Sequence, residues 1–352
     1  MDPAKPSLEL LRSLTDEHVL RGLMRHRRLT RAELAAETGI SKPTIGESVR
    51  RLTSLGLVVD TGERTVGGRG RGRVGSYYGL ADLGVALAVS IGPEGVVAEQ
   101  VDAYGDTVSR TERELARPAR PEEVAAALRA VAAPARLAVV SAADPVDRES
   151  GRLVHLPDSP FLLGELDPVA LLAEHVMGPV TVDNDVNWAA RAEPGPADFA
   201  YVYLGEGLGC AIVSDGEVRR GHAGLAGELA HLVTVGPGGA ALPLIEVFGE
   251  LGLRQPNSTA IDVPRVPEAA GPVGRAVGGV LSAVVALADP AEVVIGGPWG
   301  TDPTVLAVIT EVAAGLPRQV PIRAATVTEE PALAGARADA VARLRAAIVA
   351  GA

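Results

Sequence analysis

TRAELAAETGISKPTIGESVRRLTSLGLVVD, residues 30–60, decides how this chain begins. Thr30 and Glu33 have capping-box spacing, so a helix starts at Arg31. Gly39 ends it, because glycine tolerates the left-handed turn that follows a helix. Ser41 caps the next helix, and Pro43 is tolerated in its first turn. Ile45, Val49 and Leu52 fall on one face. Glu47, Arg50 and Arg51 point away, with Thr44 at the flank. Upstream, Val19, Leu20, Leu23 and Met24 form an apolar stripe at helical spacing, which predicts a first helix over residues 16–27.

Two short β-prone runs follow Gly56 and flank a Gly/Arg tip in LVVDTGERTVGGRGRGRVGSYYGL. The order helix, turn, helix, hairpin is that of a winged helix-turn-helix. Residues near the start of its second helix reach base edges in a DNA groove. Ser41, Lys42 and Thr44 are therefore the candidates for the groove, and Arg50 and Arg51 for phosphate. Arg69, Arg71 and Arg73 alternate with glycines, which suits a narrow minor groove or the phosphate ridge. The bland readings are a solvated Arg/Gly linker at the tip and a small helical dimerisation domain for the whole module.

Charge supports the division of labour. The 352 residues carry a net charge of −11, yet residues 1–80 hold 14 basic and 9 acidic side chains, a net of +5, leaving −16 for the rest. A basic head on an acidic body meets a polyanion with the head alone. The opening, MDPAKPSLELLRSL, lacks the apolar core of a signal peptide. No apolar run free of Gly, Pro or charge is long enough for a bilayer. One cysteine, Cys210, rules out an internal disulfide and any multi-cysteine zinc site. The expectation is a cytoplasmic protein without a membrane partner.

From residue 81 short β runs (GVALAVSI, LAVVSAAD, PVTVDND, FAYVYLG, AEVVIGG) alternate with Ala/Leu/Arg-rich helical stretches, an α/β pattern. Pro194-Gly195-Pro196 marks a seam between two lobes, and LAGARADAVARLRAAIV reads as a terminal helix. In VDNDVNWAARAE, residues 182–193, a strand ends at Asp183, and Asn184 and Asp185 follow at its carboxyl end, where α/β sheets place ligands. An Asp there can act as base in phosphoryl transfer, can hydrogen-bond a sugar hydroxyl, or can cap a helix. Gly205, Gly207 and Gly209 follow a strand, as a phosphate- or sugar-approaching turn or as a plain hairpin. Glu228 and His231, three apart, offer an acceptor and an imidazole to vicinal hydroxyls, or form a solvated turn. The run into Gly296-Gly297 is a nucleotide-edge turn or an ordinary loop.

Taken in this order, the residues resemble the ROK family of repressors and sugar kinases. PVDRESGRL (145–153), the Asn184-Asp185 pair, the glycines of LGEGLG, RRGHAGLAGELAHL and ADPAEVVIGG carry the resemblance across nearly the whole chain. It implies an α/β, actin-like two-lobed sugar-kinase body behind a winged helix-turn-helix. The expected division is 1–80 for the head, 81–195 for one lobe and 196–352 for the other, with the terminal helix returning to the first lobe. It makes Asp185 the sugar-binding residue that serves as base in kinases, here vestigial, with Asn184 beside it. Glu228 and His231 match a sugar-contacting Glu-x-Gly-His motif in which Ala230 replaces the glycine. Asp158 falls where the family usually has a sugar-binding Asn.

Two departures shape the expected function. The family's Asp-Ile-Gly-Gly-Thr-Lys phosphate turn is replaced by SIGPEG, Ser90 to Gly95. Pro93 removes a backbone donor, Glu94 adds negative charge and Gly95 removes the cation. Two like charges about 4 Å apart repel by about 1 kcal/mol in water and several times more in a drier cleft. After His231 the family's Cys-rich metal loop is absent. The expectation is a DNA-binding regulator, a repressor rather than an enzyme. It would sense a sugar or sugar phosphate without ATP, metal or other cofactor, as a homodimer or homotetramer on a double-stranded operator. The alternatives are an active ATP-dependent sugar kinase with a DNA-binding head, and a regulator whose body no longer binds ligand.

Overall fold

The computed structural model describes residues 8–65, 75–156, 161–162 and 164–352. The head consists of α1 (Leu8–His26), β1 (Arg28–Thr30), α2 (Arg31–Thr38), α3 (Lys42–Ser54), β2 (Val58–Arg64) and β3 (Ser76–Leu80). Its three strands pair in the order β1-β3-β2, all antiparallel. The capping box is present: Glu33 N donates to Thr30 Oγ1 at 3.2 Å, and Thr30 N to Glu33 Oε2 at 2.7 Å. Gly39 has φ 71° and Ser41 caps α3, as its sequence implies. The stripe Val19, Leu20, Leu23 and Met24 is buried against Leu34, Ile45, Val49 and Leu52. α1 begins two turns earlier than its stripe indicated. Leu10, Leu11 and Leu14 lie on those extra turns and are exposed, so no buried periodicity marked them.

The body holds two five-stranded sheets of like topology. The first is built from β4 (Ala86–Gly92), β5 (Gly95–Val101), β6 (Thr107–Glu114), α4 (Pro121–Val131), β7 (Ala138–Ala142), α5 (Pro168–Leu172), β8 (Val180–Asn184) and α6 (Asp185–Ala192). The second comprises β9 (Phe199–Leu204), β10 (Leu208–Ser214), β11 (Glu217–Val218) and, after the β12 (Val233–Val235)/β13 (Ala241–Pro243) hairpin, α7 (Leu244–Glu250) and α8 (Ala270–Ala288). It ends with β14 (Glu292–Gly296), α9 (Pro303–Ala314), β15 (Ile322–Ala324) and α10 (Pro331–Ala350). Strand orders are β6-β5-β4-β7-β8 and β11-β10-β9-β14-β15. In both, an antiparallel meander is extended by two parallel strands. This repetition brings the β4–β5 and β9–β10 hairpin tips to equivalent positions. The helical stretch Val263–Ala288, a 3-10 segment continued by α8, is long and apolar enough to cross a membrane, but Val273, Val277, Val280 and Leu281 of α8 are buried in the core of the second lobe.

α10 crosses back to the first sheet. Its Leu333, Ala336, Ala340, Leu344 and Ile348 share one buried cluster with Ala86 and Ala88 of β4, Val139 of β7, Trp188 of α6 and the head's own core. Gly335 sits where any Cβ would collide with the Trp188 carbonyl oxygen, so the approach of α10 to α6 requires glycine. The head is also tied to the first lobe by polar contacts. Arg27 makes two 2.6 Å hydrogen bonds to Asp106, and Tyr104 accepts from Leu80 N at 3.0 Å. Arg345 of α10 donates to the carbonyls of Ala103 and Tyr104. Gly335→Ala is expected to lower stability by about 1–3 kcal/mol, the usual cost of overpacking. The shift in the denaturation midpoint of the full chain measures it, and an unchanged midpoint would refute this account of the α10–α6 contact.

Candidate functional sites in the head and the cleft

α3 presents Ser41, Lys42, Pro43, Thr44, Glu47 and Arg50 to solvent while Ile45, Ser48, Val49 and Leu52 face inward. The candidates for base edges therefore lie together at the open N-terminal end of the helix. Arg51 turns toward α1. Its Nε and Nη2 donate to Asp16 of α1 at 2.8 and 2.6 Å, and the Asp16 side chain is 4% exposed. Ser48 also donates to Asp16. Arg51 therefore has a structural partner within the head as well as its expected place among the candidates for phosphate. Helical spacing put it outside, but a carboxylate buried on the neighbouring helix draws the long side chain inward and fixes α3 on α1. Arg69, Arg71 and Arg73 lie outside the described residues. Two cations that the sequence reading passed over flank the hairpin: Arg28 lies over Tyr77 and Arg31 over Tyr78, 5.4 and 5.0 Å from the ring centroids.

Between the lobes is a cavity of about 510 Å³ lined by Asn184, Asp185, Glu228 and His231 among others, a size suited to a small polar ligand. Asp158 lies outside the described residues. The β8–α6 junction makes one wall. Asn184, rather than Asp183 or Asp185, is the helix cap: its side chain accepts from Val186 N at 3.0 Å and donates to the carbonyls of Ala142 and Asp144 at 3.4 and 3.3 Å. That leaves Asn184 largely structural. Asp185 opens α6 and faces the cavity. Burial, and then the nearby carboxylates of Asp144 and Glu228, push its carboxyl up to about 7 against a lowering hydrogen bond from Val186 N. Glu228 precedes a single 3-10 turn, Leu229–His231, which places both members of that pair on the cavity wall opposite.

Asp183 has a role the sequence reading did not assign. It is 3% exposed and accepts from Asn184 N, Asn187 Nδ2 and Arg220 Nε at 2.9, 2.8 and 2.6 Å. Arg220 belongs to the loop after β11, so this pair ties the second lobe to the first. In the same region Arg148 N donates to Ala223 O at 3.2 Å and Arg148 Nη1 to Gly221 O at 3.1 Å.

The other rim of the cleft carries the altered turn. SIGPEG forms the end of β4, a tight turn at Pro93-Glu94 and the start of β5, with Gly92 paired to Gly95. Facing it, Gly205-Glu206-Gly207 is the tip of the β9–β10 hairpin, where Leu204 pairs with Leu208. Trp299, from the run after Gly296-Gly297, buttresses that tip by donating Nε1 to Gly205 O at 2.8 Å. Arg117 spans the gap between the tips. Nη1 reaches both Glu206 oxygens at 2.9 and 3.0 Å, and Nη2 reaches Glu94 at 3.1 Å. Nothing in LARPARP, residues 115–121, distinguishes this arginine from a solvated one. Only the fold brings it between two carboxylates.

Comparison with known proteins agrees with this architecture. Residues 86–241 match the ROK family model, and residues 12–59 match a winged helix-turn-helix DNA-binding model. A glucokinase of Streptomyces coelicolor is 30% identical over 169 residues, 44% of this chain and 52% of that enzyme. A putative xylose repressor of Caldicellulosiruptor sp. is 24% identical over 246 residues, 63% of this chain and 59% of that protein. The chain thus spans only 52–59% of these curated relatives. The crystal structure of a ROK family transcriptional regulator, a homolog of the E. coli Mlc protein, superposes with a TM-score of 0.63 at 17% identity, over 96% of this chain and 99% of its own. A ROK family glucokinase from Streptomyces griseus, in complex with glucose and AMPPNP, superposes with 0.55 at 22% identity, over 73% and 99%. At these identities the two structures speak for the fold. The chain therefore carries a ROK family domain behind a winged helix-turn-helix DNA-binding domain.

Proposed function

We propose that this protein is a cytoplasmic transcriptional regulator, a repressor, whose cleft senses a sugar and does not phosphorylate it. One observation carries the reading. The cleft keeps Asp185, Glu228 and His231 around a cavity of sugar size, while the turn opposite presents Pro93 and Glu94 and is bound by Arg117 to Glu206. Hydroxyl-binding groups are present, and the place for a triphosphate is occupied by protein charge. The relatives include a putative xylose repressor and a glucokinase, so a carbohydrate is the natural class of effector.

Sensing requires that the ligand prefer one arrangement of the lobes. Asp185 begins α6, α6 packs on α10 through Trp188, and α10 packs on the head. A ligand that draws Glu228 and His231 toward Asp185 changes the lobe angle, and with it the position of α3 relative to the second lobe. In a homodimer or homotetramer this alters the separation of paired recognition helices on two half-sites. Lys42, Ser41 and Thr44 would read the groove, and Arg50 and the wing arginines would hold phosphate.

A second reading, an active sugar kinase, is favoured by the glucokinase relative and by an Asp185 carboxyl poised near neutrality, where a general base works well. A coupled assay with ATP and a panel of monosaccharides separates the two: the regulator reading expects no turnover, and clear turnover overturns it.

Two variants of the head distinguish contact from scaffold. Lys42→Ala should weaken operator binding and reduce the slope of log affinity against log salt by about one, with the melting temperature unchanged. Arg51→Ala should instead destabilise the head by about 1–3 kcal/mol, because Asp16 is left buried without its cation. Equal salt slopes for Lys42→Ala and the parent chain would refute the placement of α3 on DNA.

Asp185→Asn tests the cleft. It should abolish the sugar-dependent release of DNA while leaving operator affinity intact. It also carries a pH signature. A carboxyl raised to about 7 from 3.8 binds its proton more tightly folded than unfolded, so it destabilises the fold increasingly from pH 4 to 7 and constantly above. The variant should therefore gain stability over the parent at pH 8, by at most about 4 kcal/mol and less where water enters the cleft, and gain none at pH 4. Thermal unfolding at both pH values reads this, and a pH-independent difference would refute it.

A further inference from the structure

The two hairpin tips that face each other across the cleft each carry a glutamate. Glu94 stands at the β4–β5 tip and Glu206 at the β9–β10 tip, and both line the same cavity as Asp185 and Glu228. Arg117, from the segment between β6 and α4, holds both: Glu206 through Nη1 at 2.9 and 3.0 Å, Glu94 through Nη2 at 3.1 Å. Glu206 is prepared for this contact. Gln255 Nε2 donates to its Oε1 at 3.2 Å, and Ile261 N donates to its carbonyl at 3.0 Å. Its side chain is 30% exposed, against 91% for Glu94. The strong half of the bridge is therefore the one that joins the lobes.

Two carboxylates around one guanidinium leave this rim with a net negative charge. Arg117 lines the cavity, yet its Nη1 and Nη2 are already engaged by charged acceptors. A phosphate entering here must take Arg117 from Glu206 and then remain beside two displaced carboxylates. A neutral polyhydroxyl ligand meets no such penalty and leaves the bridge in place.

We propose that Glu94, Arg117 and Glu206 form an interlobe clasp that sets the charge class of the ligand, admitting unphosphorylated sugars and excluding phosphate esters and nucleotides. The clasp rests on the reading of the cleft as an effector site. It narrows the effector, left above as a sugar or sugar phosphate, to the free sugar. It also gives the loss of nucleotide binding a reversible cause, since the cation that a phosphate needs is present but occupied.

The test uses isothermal titration of the full-length chain with inorganic phosphate and with ATP. In Glu94→Gln/Glu206→Gln the amides keep hydrogen-bonding capacity and fold but remove both charges, so Arg117 is held by neutral acceptors that an anion displaces more readily. This variant is expected to bind both anions about tenfold or more tightly than the parent chain. Adding Arg117→Ala should return the affinity to the parent level. Parent binding as tight as that of the double variant would overturn the clasp, as would a gain that survives the loss of Arg117. D-glucose and D-xylose titrated alongside keep the two readings apart. A phosphate gain without any sugar binding supports the clasp and sinks sugar sensing, whereas sugar binding without a phosphate gain does the reverse.

Discussion

The close packing of α10 on α6 is the constraint on which the arrangement of this chain depends. Gly335 lets the two helices meet at the Trp188 carbonyl, and Trp188 anchors the pair to the first sheet by donating Nε1 to Val140 O at 2.9 Å. The last helix of the chain thereby becomes part of the core of its first lobe. The head's buried leucines and valines belong to that same cluster. Interiors packed at crystal-like density move as units rather than deform, so head, first sheet and α10 form one body. One face of the second sheet, with α7, α8 and α9, has its own core, and its other face packs on Val186, Ala189 and Ala190 of α6, so α6 is the element on which the two lobes meet.

In the proposed effector cleft, charge is the selecting property. Arg220 of the second lobe is committed to the buried Asp183 of the first, and Arg117 of the first lobe, on the cavity wall, is committed to Glu206 of the second and to Glu94 of its own. Asp185, Glu228 and His231 line the same cavity, and in the proposed function they suit hydroxyls better than anions. Sulfate or phosphate sites need free backbone donors or cations. Here Pro93 lacks the donor, and the available cation is held.

Much of this was legible in the residues, for identifiable reasons. Helix caps are local chemistry, so Thr30, Gly39 and Ser41 gave the head its helix boundaries. The α/β alternation gave the body its class, and the terminal helix was evident from composition. The first turns of α1 escaped because Leu10, Leu11 and Leu14 are not buried. The Arg51–Asp16 pair was not legible because Asp16 is 35 residues away, and helical periodicity reports direction from one axis only. Arg117 and Arg220 escaped for the same reason: Arg117 meets Glu206 and Glu94, 89 and 23 residues distant, and Arg220 meets Asp183, 37 residues distant. Pairings across a cleft leave no local pattern. Asn184 was found as a site residue, but its competing use as a helix cap became clear only once the α6 boundary was fixed.

The same facts explain how a signal can leave the cleft without a long chain of weak couplings. Asp185 is the first residue of α6, and α6 is part of the body that contains the head. Glu228 and His231 belong to the other lobe. In the proposed function, a ligand that contacts both sides acts across the seam at which α6 meets the second sheet, and the lobe that holds α10 also holds the head. The Arg27–Asp106 pair and the Arg345 contacts to residues 103 and 104 stiffen the head against the first lobe, so that the angle is not lost at the joint. Allostery of this kind needs differential contact in two lobe arrangements and a stiff connection to the reader. The packing of α10 supplies the second, because it places the last helix of the chain in one buried cluster with the core of the head.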